Sequence, residues 1–223
     1  AVHILRTSAS GRYIYSVGRD GRVTMIDTYF ETPTIVAEVR GSFDARSVDV
    51  SKYKGYEDKY LVFGGYSPAH IVIFDAQTLE PISVTKTAGN ACDGDKEFIE
   101  EARVASIVAS HTDPVWICNI KERGMVDIVD YTDPKNPQIT EIPSARFLHD
   151  GGWDASGHYF LVAANAANKI VVIDVPNKKL VDIIETGTKP HPGRGANIKN
   201  DLGELWVTSH LGENKLSFIK TDE

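Results

Sequence analysis

The chain has 223 residues, 42% of them hydrophobic and 25% charged, enough to bury a full-sized core. A net charge of −7 argues against a nucleic-acid surface, which depends on basic excess. No apolar run approaches the length of a membrane span.

Five segments along the chain read alike, each a short apolar strand, a polar turn and an alternating strand. The first runs Tyr-Ile-Tyr-Ser-Val at 13–17, turns at 18–21 and continues to Asp27. The second has its strand at 59–63, a turn through Tyr66 and a strand ending at Asp75. The third pairs 115–118 with 126–130, and the fourth pairs 159–162 with 170–174. The fifth pairs 205–208 with 216–219 and has Lys220 where the others have aspartate. These end positions are spaced 48, 55, 44 and 46 residues apart, the period of a four-stranded propeller blade. The strands are rich in Val, Ile, Tyr and Phe, as a pleated half-buried surface requires. A further strand follows each repeat, as at 34–38 and 180–184, and only residues 95–104 could form a short helix. The fold class expected is all-β, a partial β-propeller of about five blades. The ends are strand-like, so the remaining blades of a larger ring are expected outside this segment.

In a propeller the first strand of each blade lines the central channel. The stretches upstream of the five repeats carry His3 with Arg6, then Arg46, Arg103, His149, and finally His191 with Arg194. One such histidine is more often a hydrogen-bonded structural residue, and one arginine a salt-bridge partner. Histidine or arginine at five matching positions is a different matter. Unpaired buried cations are costly, and the nearest carboxylates in sequence are Asp150 and Asp20. A bound polyanion is therefore expected, and guanidinium forks favour carboxylate or phosphate. His149 and His191 belong to neighbouring blades and could approach one point near the axis, with His3 reaching it from another side. That set suits a planar metal-bearing cofactor laid over the channel.

Other candidates are weaker. Cys92 and Cys118 make no CxxC, CxxCH or zinc spacing, so no c-type heme is attached within the segment. Gly193-Arg194-Gly195 is not followed by the helix a dinucleotide loop needs. Asp93-Gly94-Asp95 lacks the later ligands of a calcium loop. His70, His111, His158 and His210 are expected at the surface, and Met25 and Met125 in the core.

Specific strings add a resemblance. Ala-Val-His-Ile at 1–4, Gly-Arg-Asp-Gly at 18–21, Phe-Leu-His-Asp-Gly-Gly-Trp at 147–153 and Pro-His-Pro-Gly-Arg-Gly-Ala-Asn at 190–197 resemble the d1-heme domain of cytochrome cd1 nitrite reductases. The likeness runs essentially end to end. It implies an eight-bladed ring, with His3 as proximal ligand of the heme d1 iron. It also implies that Arg6, Arg19, Arg46 and Arg194 hold the macrocycle's carboxylates and that Tyr66 lines the pocket. His149 and His191 would position nitrite and supply protons for its one-electron reduction to nitric oxide. Periplasmic location, a homodimer, a c-type cytochrome or cupredoxin electron donor and a heme c domain outside this segment follow from the same resemblance.

Two stretches depart from the family pattern. Tyr66-Ser67-Pro68-Ala69 stands where Trp-Pro-Pro usually follows the tyrosine, and residues 85–101, with Cys92, read differently. A relative that binds, modifies or carries heme d1 or its precursor is the alternative, for which an altered histidine pair is expected. A non-enzymatic propeller scaffold is a third reading, which expects small or apolar residues along the channel.

Overall fold

The computed structural model describes residues 2–93 and 97–221. Five antiparallel sheets follow one another along the chain, each built by consecutive strands in the order inner to outer. The first holds β1 (Val2–Thr7), β2 (Tyr13–Gly18), β3 (Arg22–Asp27) and β4 (Thr34–Arg40). The second holds β5 (Asp44–Val50), β6 (Tyr60–Ser67), β7 (His70–Asp75) and β8 (Pro81–Lys86). A two-stranded ribbon of β9 (Gly89–Asn90) and β10 (Phe98–Ile99) precedes the third sheet. That sheet comprises β11 (Val104–Ala109), β12 (Val115–Ile120), β13 (Met125–Asp130) and β14 (Gln138–Pro143). The fourth comprises β15 (Leu148–Trp153), β16 (Tyr159–Ala164), β17 (Lys169–Asp174) and β18 (Lys179–Glu185). The fifth has three strands, β19 (Ala196–Asn200), β20 (Gly203–Ser209) and β21 (Leu216–Lys220).

The repeats find a physical explanation in how the sheets stack. Along β6, Leu61 and Phe63 pack with Tyr15, Val17 and Met25 of the first sheet, while Val62 packs with Ile107 and Trp116 of the third. Along β12, Trp116 and Cys118 face the second sheet and Ile117 faces Phe160 and Val162 of the fourth. Both faces of these strands are buried, so they read as continuous apolar runs rather than strict alternations. Met25 and Met125 are in the core as expected. The aspartate closing each of the first four repeats anchors the turn to the outermost strand. Asp27 accepts from the Tyr29 amide, Asp75 from Gln77 and Thr78, Asp130 from Thr132, and Asp174 from Asn177.

Two expectations fail. No helix forms in the described part of 95–104: the Ala91 amide donates to Glu97 O, closing the β9–β10 ribbon. Asp95 itself lies outside the described residues. The one helical element among the described residues is a single 3₁₀ turn, Asn165–Ala167. His70 is buried, not superficial, its ring nitrogens 2.8 Å from Pro68 O and 2.9 Å from Gly41 O.

Candidate functional site

The innermost strands share a local irregularity. Register slips by one residue at His3 in β1, at Arg46 in β5, at Ala105 in β11, and across His149 and Asp150 in β15. A bulge adds a residue that the ladder cannot pair and re-aims side chains beside it. Four consecutive sheets thus interrupt their inner strand at equivalent heights, and three of the four interruptions carry the histidine or arginine singled out in the sequence.

His149 and His191 come together, with ring centroids 4.9 Å apart. Asp150 sits between them, Oδ1 being 3.0 Å from Nδ1 of His149 and Oδ2 3.4 Å from Nε2 of His191. The His149 contact is an ion-pair distance without hydrogen-bond alignment, so Nδ1 is buried with no aligned partner. Burial opposes ionisation of Asp150. The close contact with His149, together with the charges of His149, His191 and Arg194, outweighs it, holding its carboxyl below the usual range.

The two sequence strings that carry these histidines interlock. A side-chain carbon on Gly152 would collide with the backbone carbonyl of Arg194, so glycine is required for the approach. Arg194 donates to Ser106 Oγ, to Gly151 O at 3.1 Å and to Ile107 O at 2.9 Å. Burial pushes its guanidinium down to about 10. His191 is fixed through its backbone, its N–H donating to Ser209 O and its carbonyl accepting from Ser209 Oγ.

Across the site, His3 is exposed at the start of β1. Partial desolvation, then the charges of Arg46 and Arg19, push its imidazole below the usual range, with Asp150 acting in the opposite sense. Arg46 and Arg103 both lie over the Tyr66 ring, at 5.3 and 5.2 Å from its centroid. The Tyr66 hydroxyl and Arg46 Nε are buried without a hydrogen-bond partner among the described residues. Lys121, which follows β12, joins this group. Burial and the charge of Arg103 push its ammonium down.

The scarcity of carboxylates read from the sequence is corrected by distant residues. Asp44 takes Arg19 in a two-pronged bond of 2.7 and 2.8 Å, and Glu122 takes Arg103. Asp49, nearly fully buried, lies 3.8 Å from Arg6 Nε and accepts from the Ala109 amide. Arg46 and Lys121 are therefore the cations of this group left without a paired carboxylate among the described residues. Orphaned buried polar atoms on Arg46, Tyr66 and His149 fit a large anionic ligand with polar edges. Interior gaps elsewhere, such as an apolar one between Tyr159, Leu161, Val181 and Ile219, touch none of these residues.

Comparison with known proteins agrees with this make-up. A nitrite reductase of Stutzerimonas stutzeri is 55% identical over 99% of this chain and 39% of its own length. A dihydro-heme d1 dehydrogenase of Pseudomonas aeruginosa is 25% identical over 95% of this chain and 40% of its own. The chain thus spans about two-fifths of the curated relatives it matches. A solved dihydro-heme d1 dehydrogenase in complex with DHE superposes with a TM-score of 0.82 at 25% identity, covering 99% of this chain and 45% of that one. A β-propeller domain from Myceliophteria thermophila superposes at 0.63 with 16% identity, covering 94% and 62%, a likeness of fold alone. The five stacked sheets are accordingly propeller-like. The family model for the cytochrome D1 heme domain matches residues 1–223, and the chain belongs to that family.

Proposed function

We propose that the protein containing this chain reduces nitrite by one electron to nitric oxide at heme d1. The observation that carries the reading is the His149–His191 pair, 4.9 Å apart, in a chain 55% identical to a nitrite reductase. Converting nitrite to nitric oxide consumes two protons and releases water. Two adjacent imidazoles match that demand as general acids, and their protonated forms attract the anion. When bound, heme d1 supplies the electron and a coordination position for nitrite. His3 would hold the iron, for which a neutral imidazole is needed, in keeping with the direction of its shift. Arg46 and Tyr66 would meet the macrocycle's carboxylates. Arg6, Arg19 and Arg194 add positive charge around them while tied to Asp49, Asp44 and backbone carbonyls.

In this reading the five sheets are part of an eight-bladed ring, and a heme c domain elsewhere in the protein delivers electrons from a c-type cytochrome or cupredoxin. A periplasmic homodimer completes it. No helix among the described residues is long and apolar enough to cross a membrane.

A second reading, dehydrogenation of dihydro-heme d1, is favoured by the 0.82 superposition on that enzyme's complex. The two separate in one experiment on the full-length protein. Nitrite with a reductant is offered to the heme d1-loaded form, and dihydro-heme d1 with an electron acceptor to the empty form. Nitric oxide release without oxidation of dihydro-heme d1 supports the reductase. Oxidation of dihydro-heme d1 without nitric oxide release refutes it.

A further inference from the structure

We propose that His149, Asp150 and His191 form a binding site for one divalent transition-metal ion of the zinc class, separate from the tetrapyrrole iron. One donor atom from each residue lies within 4.8 Å of the other two. Zinc bonds to imidazole nitrogen and carboxylate oxygen are about 2.0–2.1 Å long, which sets tetrahedral donor–donor edges of roughly 3.3–3.4 Å. Asp150 lies 3.0 Å from His149 through Oδ1 and 3.4 Å from His191 through Oδ2, so a rotation of the carboxylate is needed to present one oxygen to both imidazoles. Two imidazoles and one carboxylate are the donors of open catalytic zinc sites, leaving a fourth position for water or an anion. Calcium and magnesium prefer all-oxygen shells and would bind weakly here.

The donors are held from three directions. The β15 bulge puts consecutive residues His149 and Asp150 beside one pocket, and Asn119 Nδ2 donates to His149 O at 2.7 Å. His191 is pinned to Ser209 through its backbone. The buried Nδ1 of His149, lacking an aligned hydrogen-bond partner, would form a coordinate bond on ligation instead. Arg6, Arg194 and Arg46 oppose a dication in this neighbourhood, so binding weaker than that of structural zinc sites is expected.

Occupancy would tie up both imidazoles and halt proton delivery. That consequence rests on the reductase reading; the site itself rests on geometry.

The test titrates zinc into the full-length protein, empty and heme d1-loaded, by calorimetry. Cobalt(II) serves as a spectroscopic substitute, because its visible absorption is strong in four-coordinate sites and weak in six-coordinate ones. One ion per chain with four-coordinate cobalt bands is expected. Asp150→Asn is expected to weaken binding tenfold or more, and His111→Ala, at an exposed residue elsewhere, to leave it unchanged. No saturable binding, six-coordinate cobalt bands, or binding unaltered in a folded Asp150→Asn protein would overturn the site. Nitrite turnover indifferent to saturating zinc would also count against it while leaving the reductase reading intact. Saturable, variant-sensitive binding in a protein that never reduces nitrite would uphold the site and remove the reductase reading.

Discussion

Asp150 follows His149 directly, yet both side chains serve one pocket. Alternation along a regular strand would send them to opposite faces, and this is why the sequence suggested Asp150 only as a nearby carboxylate. The bulge between Leu148 and Gly151 removes that alternation, and its trace in the sequence is the following pair of glycines. Because the folded-state pKa of Asp150 lies below its unfolded value, its ionisation stabilises the fold above about pH 4 and loses that effect as pH falls through the folded value. Thermal unfolding of Asp150→Asn should therefore fall short of the parent at neutral pH, with the gap closing in acid. Arg194 teaches a different lesson. The sequence placed it among cationic site residues, and three of its bonds go to Ser106, Gly151 and Ile107. Arg194→Ala is expected to lower stability by on the order of 3 kcal/mol in urea unfolding, even without a tetrapyrrole. An unchanged midpoint would mean that those bonds are not structural.

At the scale of elements, the repeat was legible because burial and turn chemistry recur together. Apolar runs mark strands packed on both faces, and the closing aspartates at 27, 75, 130 and 174 cap turns. The β9–β10 ribbon was not legible, since two-residue strands leave no periodic signal. The third sheet holds a polar residue that pattern reading also passes over. Asp127 is buried on β13, opposite Cys118 and Glu141 on the neighbouring strands, with Oδ1 unpartnered among the described residues. Burial, seconded by Glu141, pushes its carboxyl up to about 7, against the pull of Arg123. A raised pKa makes the folded state hold its proton longer than the unfolded chain, so this residue lowers stability as pH rises from about 4 to 7. Asp127→Asn is expected to raise the melting temperature at pH 8 more than at pH 5. Equal gains at both values would show that Asp127 is not the group responsible.

For the whole molecule, the exposed inner strands of the first and last sheets contrast with the buried β5 and β11 between them. Apolar residues such as Val2, Leu5 and Ile198 lie open there. The sequence conveyed the all-β, propeller-like run of sheets through period and strand count. It could not convey which cations are neutralised, because Asp44, Asp49 and Glu122 meet Arg19, Arg6 and Arg103 only through tertiary packing. What the fold delivers to one place is a histidine pair facing a cationic, partly unsatisfied pocket. The most direct measurement is nitric oxide release from nitrite by the full-length, heme d1-loaded protein, beside a His149→Ala/His191→Ala variant that retains the cofactor. Release by the parent that drops by two orders of magnitude or more in the variant is expected, the scale of lost general-acid catalysis. Equal release from both proteins would contradict the role given to the pair.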